Sequence, residues 1–282
     1  MPHSAGTPIR LSRRQWLAVT GCGVAAAVGS DSWLIEPNRL AVSSHSLAPR
    51  PDHDSIRIVQ VTDLHLHDVG HHERAVAAQT NALRPDLIAL TGDSVDRSNA
   101  LPLLAEFLEL VASETPKVAT LGNWEHWSNV DIAALRRLYD RYNCRLLVNE
   151  SASFTMRGRR ITFVGLDDLV GGVPDLASAT RAISLDDSAR ILIQHCPGFR
   201  DEGALRDVNA RIPFLMMLAG HTHGGQVAPF GHAVWRPRGS GRYVSGWYRD
   251  PNRVPMYVSR GIGTSVVPIR LGAVPEIAAF DL

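Results

Sequence analysis

The sequence has little lysine, little cysteine and no long apolar run, and each of these absences excludes a class of protein. Lys117 is the single lysine, and 29 basic residues against 28 acidic ones leave a formal net charge of +1. Without a basic excess, we expect no sequence-specific nucleic-acid partner. Three cysteines are too few for a disulfide scaffold. No internal segment approaches the roughly 18–20 apolar residues of a membrane-spanning helix, which excludes a polytopic membrane protein.

The rest of the composition is that of a globular protein. Hydrophobic residues make up 45% and charged residues 20% of the 282 positions, which excludes disorder, collagen and coiled coil as the dominant state. This length is enough to bury a sizeable core. Histidine is the residue in excess, with twelve copies, and the positions of these histidines decide the functional prediction.

Two adjacent arginines precede a weakly apolar segment near the start of the chain. Residues 1–11 contain no acidic residue, Arg13 and Arg14 follow, and a weakly apolar stretch covers residues 17–28. This pattern resembles a twin-arginine export signal; a basic amphipathic first helix is the alternative interpretation. We therefore expect export by the twin-arginine pathway, to the periplasm or to the outer face of the cytoplasmic membrane.

Three fates of the predicted signal segment, residues 1–28, remain open. Cys22 follows a sequence that resembles a lipobox, which would attach a lipid there. The three alanines at 25–27 suit cleavage by a signal peptidase instead, and a retained anchor is the third alternative. Residues 29–54 are rich in Ser, Pro and Asp and predict a linker with a first edge strand. Residues 55–282 are expected to form one domain.

Strand-like and helix-like segments alternate through the first half of this domain. Helical patterns between early apolar strands predict parallel α/β layers, and after residue 225 glycine, proline and aromatic residues favour hairpins. The whole is interpreted as one α/β domain with two packed sheets. The predicted strands cover 56–61, 87–90, 118–121, 161–164, 191–193 and 214–218, and the predicted helices cover 71–84, 101–113 and 131–142.

Polar residues with metal-binding side chains follow five of these apolar segments within one to three residues. Since binding sites in open α/β sheets lie beyond the carboxyl ends of the strands, five such ends at one edge would gather these side chains. The candidate ligands, in chain order, are Asp63, His65, Asp93, Asn123, His195, His221 and His223.

The chemistry of this set favours a metal centre. Imidazole, carboxylate and amide oxygen together suit Mn, Fe or Zn better than Mg or Ca, which prefer oxygen ligands alone. Residues two apart in an extended segment point the same way, so Asp63 with His65, and His221 with His223, can each serve one cluster. Seven ligands are too many for one tetrahedral ion and suit two divalent ions that share a bridging carboxylate.

These ordered motifs resemble those of the calcineurin-like metallophosphoesterases. The segment 59–66 and the tail 256–265 are similar to a bacterial branch of exported or membrane-associated phosphohydrolases, which includes cell-wall phosphodiesterase-like and UDP-diacylglucosamine pyrophosphatase-like proteins. The resemblance implies a four-layer α/β/β/α sandwich of two mixed sheets. It also implies metal-dependent hydrolysis of a phosphodiester, pyrophosphate or monoester. Lipid-linked or nucleotide-sugar substrates and association with membrane or cell wall are among its implications.

The same resemblance distributes the ligands over two ions. One ion would be held by Asp63, His65, Asp93 and His223. The second would be held by Asp93, Asn123, His195 and His221, with Asp93 bridging.

One position departs from the family pattern. The family has histidine directly after the ligand Asn, where it stabilises the phosphoryl charge or protonates the leaving group, whereas this chain has Trp124 after Asn123. His126, two residues further on, is the candidate catalytic replacement. Trp124 and Trp127 are interpreted either as a wall for an apolar part of the substrate or as packing. The alternative function is a non-hydrolytic metal-binding envelope protein that lost its acid at Trp124.

Overall fold

The computed structural model describes residues 12–47, 55–184 and 186–282, so residues 1–11 of the predicted signal and 48–54 of the predicted linker lie outside the described part. Within it the chain is an α/β structure. The strands are β1 (Ala41–Ser46), β2 (Arg57–Val61), β3 (Leu87–Thr91), β4 (Lys117–Thr120), β5 (Cys144–Leu146), β6 (Glu150–Met156), β7 (Arg159–Gly165), β8 (Ala189–Ile193), β9 (Met216–Ala219), β10 (Gly246–Tyr248), β11 (Met256–Val258) and β12 (Glu276–Asp281).

Seven α-helices connect or flank these strands in the described residues. They are α1 (Arg13–Ser30), α2 (His71–Ala82), α3 (Leu101–Leu110), α4 (Asn123–Trp127), α5 (Ile132–Arg141), α6 (Leu176–Thr180) and α7 (Gly203–Asn209). Local sequence explains where several begin. The Asp131 side chain accepts a hydrogen bond from the Ala134 N–H at the start of α5, and Asp175 accepts one from the Ser178 N–H at the start of α6.

The strands form two six-stranded mixed sheets. The first has the order β1-β12-β2-β3-β4-β5, and the second has the order β10-β11-β9-β8-β7-β6. In the first sheet β2, β3, β4 and β5 run parallel and β12 pairs antiparallel with β2. In the second sheet β7, β8, β9 and β11 run parallel, with antiparallel pairs at both edges.

Three hydrophobic cores pack the two sheets against each other and against the helices on their outer faces. Ile58, Phe163 and Phe280, all fully buried, belong to the core between the two sheets. Helices α2, α3 and α5 contribute to the core on the outer face of the first sheet, and α6 and α7 contribute to the core on the second. Each fully buried large side chain stabilises the fold by about 1.5–3 kcal/mol relative to exposure. The predicted α/β/β/α sandwich of two packed mixed sheets is therefore confirmed.

The observed elements differ from the predicted segments mainly at their ends. They also include short elements and a non-local strand pairing, which sequence periodicity does not reveal. Helix α3 ends at Leu110 rather than at 113, and β9 begins at Met216 rather than at 214. The short elements α4, β5, α6 and α7 were not predicted, because three to seven residues are too few to establish a period. The C-terminal strand β12 lies between β1 and β2, a non-local pairing that sequence periodicity does not reveal.

The N-terminal region begins with an 18-residue helix and continues to the edge of the first sheet. None of the helices in the described residues combines the length and apolar character needed to cross a bilayer. After α1 the chain makes a π-helical turn, Asp31–Ile35, and a 3-10 turn, Glu36–Asn38. Strand β1 then pairs in parallel with β12. The buried Glu36 carboxylate accepts a hydrogen bond from the Ala273 N–H, which fixes the second turn to the loop before β12.

Candidate metal centre and active site

Six of the seven predicted ligands form two adjacent buried groups beyond the carboxyl ends of β2, β3, β8 and β9. In each group the side chains offer ligand atoms that lie within 4.8 Å of one another. The groups are Asp63 with His65 and His223, and Asp93 with His195 and His221.

Asp93 lies where the two groups meet. Its Oδ2 is 3.0 Å from His195 Nε2 and 3.6 Å from His65 Nε2, and those two histidines belong to different groups. Asn123, the seventh predicted ligand, lies beside Asp93, because the N–H of the next residue, Trp124, donates to Asp93 Oδ1 at 2.9 Å. The seven predicted ligands therefore lie in one continuous site. The expectation that His221 and His223 serve the same cluster was wrong, because both residues have positive φ rather than an extended backbone and their side chains belong to different groups.

Residues of the second sheet are hydrogen-bonded to residues of the first at this edge. The His221 N–H donates to Asp63 Oδ1 at 2.9 Å, and Gln60 Nε2 donates both to Thr91 Oγ1 and to the Ala219 carbonyl. These bonds align the ends of β2, β3 and β9. The site is therefore built across the gap between the sheets and belongs to neither alone.

The backbone at the site is strained. Five of the seven candidate ligands have positive φ: Asp63 at 54°, His65 at 44°, Asp93 at 51°, His221 at 72° and His223 at 49°. This left-handed region is uncommon for residues other than glycine and costs of order 1–3 kcal/mol each. Such strain persists where the surrounding structure enforces it, as at ligand and active sites.

Two glycines permit this close approach. A Cβ on Gly220 would overlap the Asp63 carboxylate, and a Cβ on Gly122 would overlap that of Asp93. Because glycine has no Cβ, Gly220 and Gly122 leave room for the aspartate carboxylates that follow the neighbouring strands.

Backbone carbonyls fix the orientation of three histidines. His195 Nδ1 lies 2.8 Å from the Thr91 carbonyl, and His221 Nε2 lies 2.7 Å from the Arg238 carbonyl. His223 Nδ1 lies 3.3 Å from the Gly263 carbonyl. Because a carbonyl only accepts, the nearby ring nitrogen of His195 and of His221 carries a proton. Each of these two rings therefore presents its other nitrogen to the ligand groups, as metal ligation requires.

Several buried polar atoms at the site have no partner within the protein. In the described residues Asn123 Oδ1 is one of these, and His195 Nε2 faces the Asp93 carboxylate at 3.0 Å. The Nε2 atoms of His65 and His223 face each other at 3.2 Å. A buried polar atom without a partner costs roughly 1–3 kcal/mol, and cations at the two groups would satisfy these acceptors. The donor set therefore fits two metal ions.

Electrostatics leads to the same conclusion. Burial lowers the pKa of His65, His221 and His223 below the ordinary value, which favours the neutral imidazole that binds metals. The pKa of His195 shifts in the opposite direction. Burial alone would lower this pKa, but the negative charges of Asp93 and Asp63 hold it well above the ordinary value. Two buried carboxylates thus require positive charge beside them, and a divalent ion would supply it in place of the proton.

Glu125 organises the loops that carry the ligands. Its buried carboxylate accepts four backbone N–H bonds, from Asp93 at 3.1 Å, Ser94 at 2.7 Å, Val95 at 3.2 Å and Gly122 at 2.8 Å. Burial, together with the charge of Asp93, raises the pKa of Glu125 to about 7. Glu125 therefore acts as a positioning residue that ties the loop after β3 to the start of α4. The sequence signal for it was an acid three residues after Gly122, which is the spacing of a helix capping box.

Arg270 is a second residue whose role was not predicted. Its side chain is fully buried, and its guanidinium donates to the carbonyls of Arg260, Gly263 and Ala273. Arg270 Nη2 lies 3.3 Å from His223 Nδ1. Burial lowers the pKa of Arg270 only to about 10, so a fixed positive charge remains behind one ligand group at neutral pH.

The structure also locates the residues around the departure at position 124. The Trp124 indole packs edge-on against His65, with ring centroids 6.1 Å apart, and contacts Trp127 at 5.6 Å. Trp124 Nε1 donates to Ser265 Oγ at 3.1 Å. Trp124 thus forms a wall beside the metal centre that is held by a loop from the C-terminal part of the chain.

His126 forms a close pair with Asp167. Its Nε2 donates to Asp167 Oδ1 at 2.7 Å, and this hydrogen bond raises the pKa of His126 above its ordinary value. Asp167 is itself held by the N–H groups of Asp168 and Val173. His126 is therefore a partly exposed imidazole with a fixed carboxylate partner, three residues after Asn123 on α4.

A small cavity opens beside the metal centre. Its volume is about 170 Å³, and its walls include His65, His67, His72 and Asn38. In this wall, His67 Nε2 lies 3.1 Å from Asp96 Oδ2. This volume is below the ~300–1,000 Å³ of pockets that enclose a whole organic ligand. A larger substrate would extend over the surrounding surface.

We expect Glu125→Gln to weaken both folding and metal binding. The amide offers one carbonyl oxygen where two carboxylate oxygens accept four N–H bonds, and hydrogen bonds to charged groups contribute about 1.5–3 kcal/mol each. Denaturant unfolding should show a loss of at least about 2 kcal/mol, and metal analysis should show reduced occupancy. Glu109→Gln on α3, an exposed position, is the matched control. Full metal content and unchanged stability in the Glu125 variant would contradict the positioning role.

The chain has relatives of similar length in several bacteria. It is 30% identical to the uncharacterised metallophosphoesterase YkuE of Bacillus subtilis, over 97% of this chain and 98% of that protein. It is 28% identical to the phosphodiesterase YaeI of Escherichia coli, over 96% of this chain and 99% of that protein.

Among solved structures, the chain is similar to a 5′-nucleotidase precursor from Thermus thermophilus, with a TM-score of 0.49 and 14% identity. That match covers 80% of this chain and 55% of the nucleotidase, so the chain spans about half of its length. A second match is the phosphopantetheinyl hydrolase of Mycobacterium tuberculosis, with a TM-score of 0.48, 12% identity and coverage of 78% and 96%.

The family model that matches the sequence describes the calcineurin-like phosphoesterases. It covers residues 56–225, more than half of the chain, and this range includes all seven candidate ligands, Glu125 and His126. The two buried groups of possible metal ligands lie where the ordered motifs placed them. The chain therefore belongs to the calcineurin-like phosphoesterase family and is a metallophosphoesterase, a hydrolase.

Proposed function

We propose that the protein is an exported hydrolase that uses two divalent metal ions to cleave phosphodiester or pyrophosphate bonds. The observation that carries this proposal is the pair of buried ligand groups with Asp93 between them. Mn, Fe or Zn fits the mixture of imidazole, carboxylate and amide ligands. The similarity to the Escherichia coli phosphodiesterase YaeI supports the diester class.

A pair of divalent ions bound here would supply an activated water and would neutralise charge on the phosphoryl oxygens. The chain's own contribution is preorganisation. Glu125 and the His221 N–H hold Asp93 and Asp63 in place, so the centre needs little rearrangement when substrate binds. The buried positive charge of Arg270 behind His223 adds to the attraction for an anionic phosphoester.

His126 is the proposed proton donor to the leaving group. Its hydrogen bond to Asp167 favours the protonated form near neutral pH, and the proton on its other ring nitrogen remains available for transfer. Trp124, in the position where the family has histidine, cannot serve as a donor of this kind. It would instead flank an apolar or aromatic part of the substrate. A lipid-linked or nucleotide-sugar phosphoester has such a part.

The first experiment tests the metal centre and the activity together. The chelated protein should gain turnover of bis(p-nitrophenyl) phosphate when Mn is added. Asp93→Asn should lose more activity and more metal than loss of any single histidine, because one carboxylate offsets the charge of both ions. Asp140→Asn, an exposed acid on α5, is the matched control. Two ions per chain in a folded Asp93→Asn variant would contradict the bridge, and a metal-loaded protein without turnover would favour the non-hydrolytic alternative.

The second experiment tests His126 through the leaving group. An alkoxide needs a proton as it departs, and a positioned donor is worth about 10²–10⁴ in rate. His126→Ala should therefore slow a diester with an alkyl leaving group by at least about 10²-fold. Its effect on nitrophenyl esters should be small, and metal content should not change. His71→Ala, an exposed histidine on α2, is the control. An equal effect on both substrates would remove His126 from proton transfer.

We also propose that the paired arginines direct export by the twin-arginine pathway, which would place the enzyme at the outer face of the cytoplasmic membrane or in the periplasm. Arg13→Lys with Arg14→Lys keeps the charge but removes the guanidinium pair. Cell fractionation should then find the folded variant retained in the cytoplasm, whereas a conservative change of Arg10 to Lys should leave export intact. Normal export of the double variant would mean that the segment is another kind of signal or an anchor.

A further inference from the structure

Two strained loop residues expose large apolar side chains. Phe230 is 100% exposed with φ at 54°, and Val266 is 86% exposed with φ at 66°. Positive φ is a genuine outlier for a β-branched or bulky residue. Packing within the described chain does not repay this cost, because both side chains point into solvent. Strain of this kind that persists at the surface indicates a functional contact.

The two loops are fastened to each other. Gln226 Nε2 donates to the carbonyls of Ser265 and Val267, at 3.0 and 2.9 Å, and Gln226 Oε1 accepts from the Ser265 N–H. These bonds hold the residues on both sides of Val266, so its outward position is built into the structure. Backbone hydrogen bonds between Leu271 and both Gln226 and Ala228 continue the connection toward Phe230.

Further exposed apolar residues lie on segments joined to these loops. Val234 and Trp235 are 71% and 67% exposed, and the Val234 N–H donates to the Val227 carbonyl. On the other side, the Arg270 N–H donates to the Ser32 carbonyl, which brings the exposed segment Trp33, Leu34 and Ile35 next to the same loops. We call these exposed side chains, together with Phe230 and Val266, the apolar rim.

The part of the apolar rim between residues 226 and 249 is accompanied by positive charge without negative charge. Residues 226–249 contain four arginines and no acidic residue. Three of them, Arg236, Arg238 and Arg242, are exposed, and none of the salt bridges within the described residues involves them. The charge of this face is therefore complementary to an anionic partner.

The apolar rim is connected to the catalytic centre at two points. Ser265, next to Val266, accepts the hydrogen bond from the Trp124 indole, which packs against His65. The Arg238 carbonyl accepts the hydrogen bond from His221. A surface bound to the rim would therefore lie beside the mouth of the metal centre.

We propose that the apolar rim and its arginines are the docking surface for an anionic lipid bilayer. Single apolar side chains that project from loop tips, with arginines beside them, suit insertion among headgroups better than a protein partner, which would need a matching pocket for each tip. Docking would hold the metal centre at headgroup level. The consequence that the enzyme acts on lipid-borne phosphoesters rests on the proposed function, whereas docking itself does not.

Co-sedimentation of the full chain with vesicles tests the proposal. The protein should bind vesicles that contain phosphatidylglycerol more tightly than vesicles of phosphatidylcholine alone, and salt should weaken this binding. Phe230→Asn with Val266→Asn removes the apolar tips, while asparagine tolerates positive φ. Binding should fall at least about tenfold, given the usual free energy of burying such side chains, with thermal stability maintained. Leu215→Asn, at the amino end of β9, is the control for an exposed leucine at the other end of the sheet.

A second set of variants tests the charge. Arg236→Gln, Arg238→Gln and Arg242→Gln together should lower affinity for anionic vesicles by about a hundredfold, since each basic residue near such a surface contributes about a factor of five. The matched set, Arg137→Gln, Arg141→Gln and Arg145→Gln, removes three exposed arginines at the far edge of the first sheet and should have little effect.

The outcomes separate docking from catalysis. A Phe230 and Val266 variant that loses vesicle binding but keeps full turnover of soluble bis(p-nitrophenyl) phosphate supports docking, and an inactive wild type that still binds vesicles would contradict only the proposed function. Unchanged vesicle binding in the Phe230 and Val266 variant would overturn the proposal and assign membrane contact to α1. Absence of vesicle binding by the wild type, with self-association that the same variant abolishes, would also overturn it and identify an interface between copies.

Discussion

The hydrogen bonds that surround Asp93 are the constraint on which the functional structure depends. The Asp93 carboxylate lies between His195 of one ligand group and His65 of the other, and its backbone is held at positive φ by the Glu125 carboxylate. Glu125 accepts N–H bonds from residues after two different strands. A single buried acid therefore joins two loop ends into one rigid wall of the metal centre, at the cost of desolvating a carboxyl group whose partners are backbone N–H groups.

The two sheets supply the opposite walls, and the fold explains why they meet there. Parallel strands β2, β3 and β4 in one sheet and β8 and β9 in the other all end at the same edge. Histidines that follow the second sheet reach ligands that follow the first, and carbonyls such as those of Thr91 and Arg238 orient the rings. The strain at five ligand residues is acceptable because the inter-sheet core and these hydrogen bonds stabilise the arrangement as a whole.

Tryptophan at position 124 affects both the chemistry of the site and the surface around it. The family resemblance implies an imidazole at position 124, where this chain has Trp124, and His126, paired with Asp167, is the imidazole on the same helix. The indole also connects the metal centre to the loop that carries Val266, through Ser265. Trp124 thus links the chemistry of the site to the exposed apolar and basic surface around it.

The sequence alone determined which residues could be ligands, because each of Asp63, Asp93, Asn123, His195 and His221 follows a short apolar segment that predicts a buried strand. It also determined the α/β alternation that puts such ends at one edge. Only the tertiary structure decided that Glu125 bonds four amides, that Arg270 is buried behind His223, and that Phe230 and Val266 project from adjoining loops. The physical reason is range: periodicity reports burial along one element, whereas these roles depend on partners tens or hundreds of residues away.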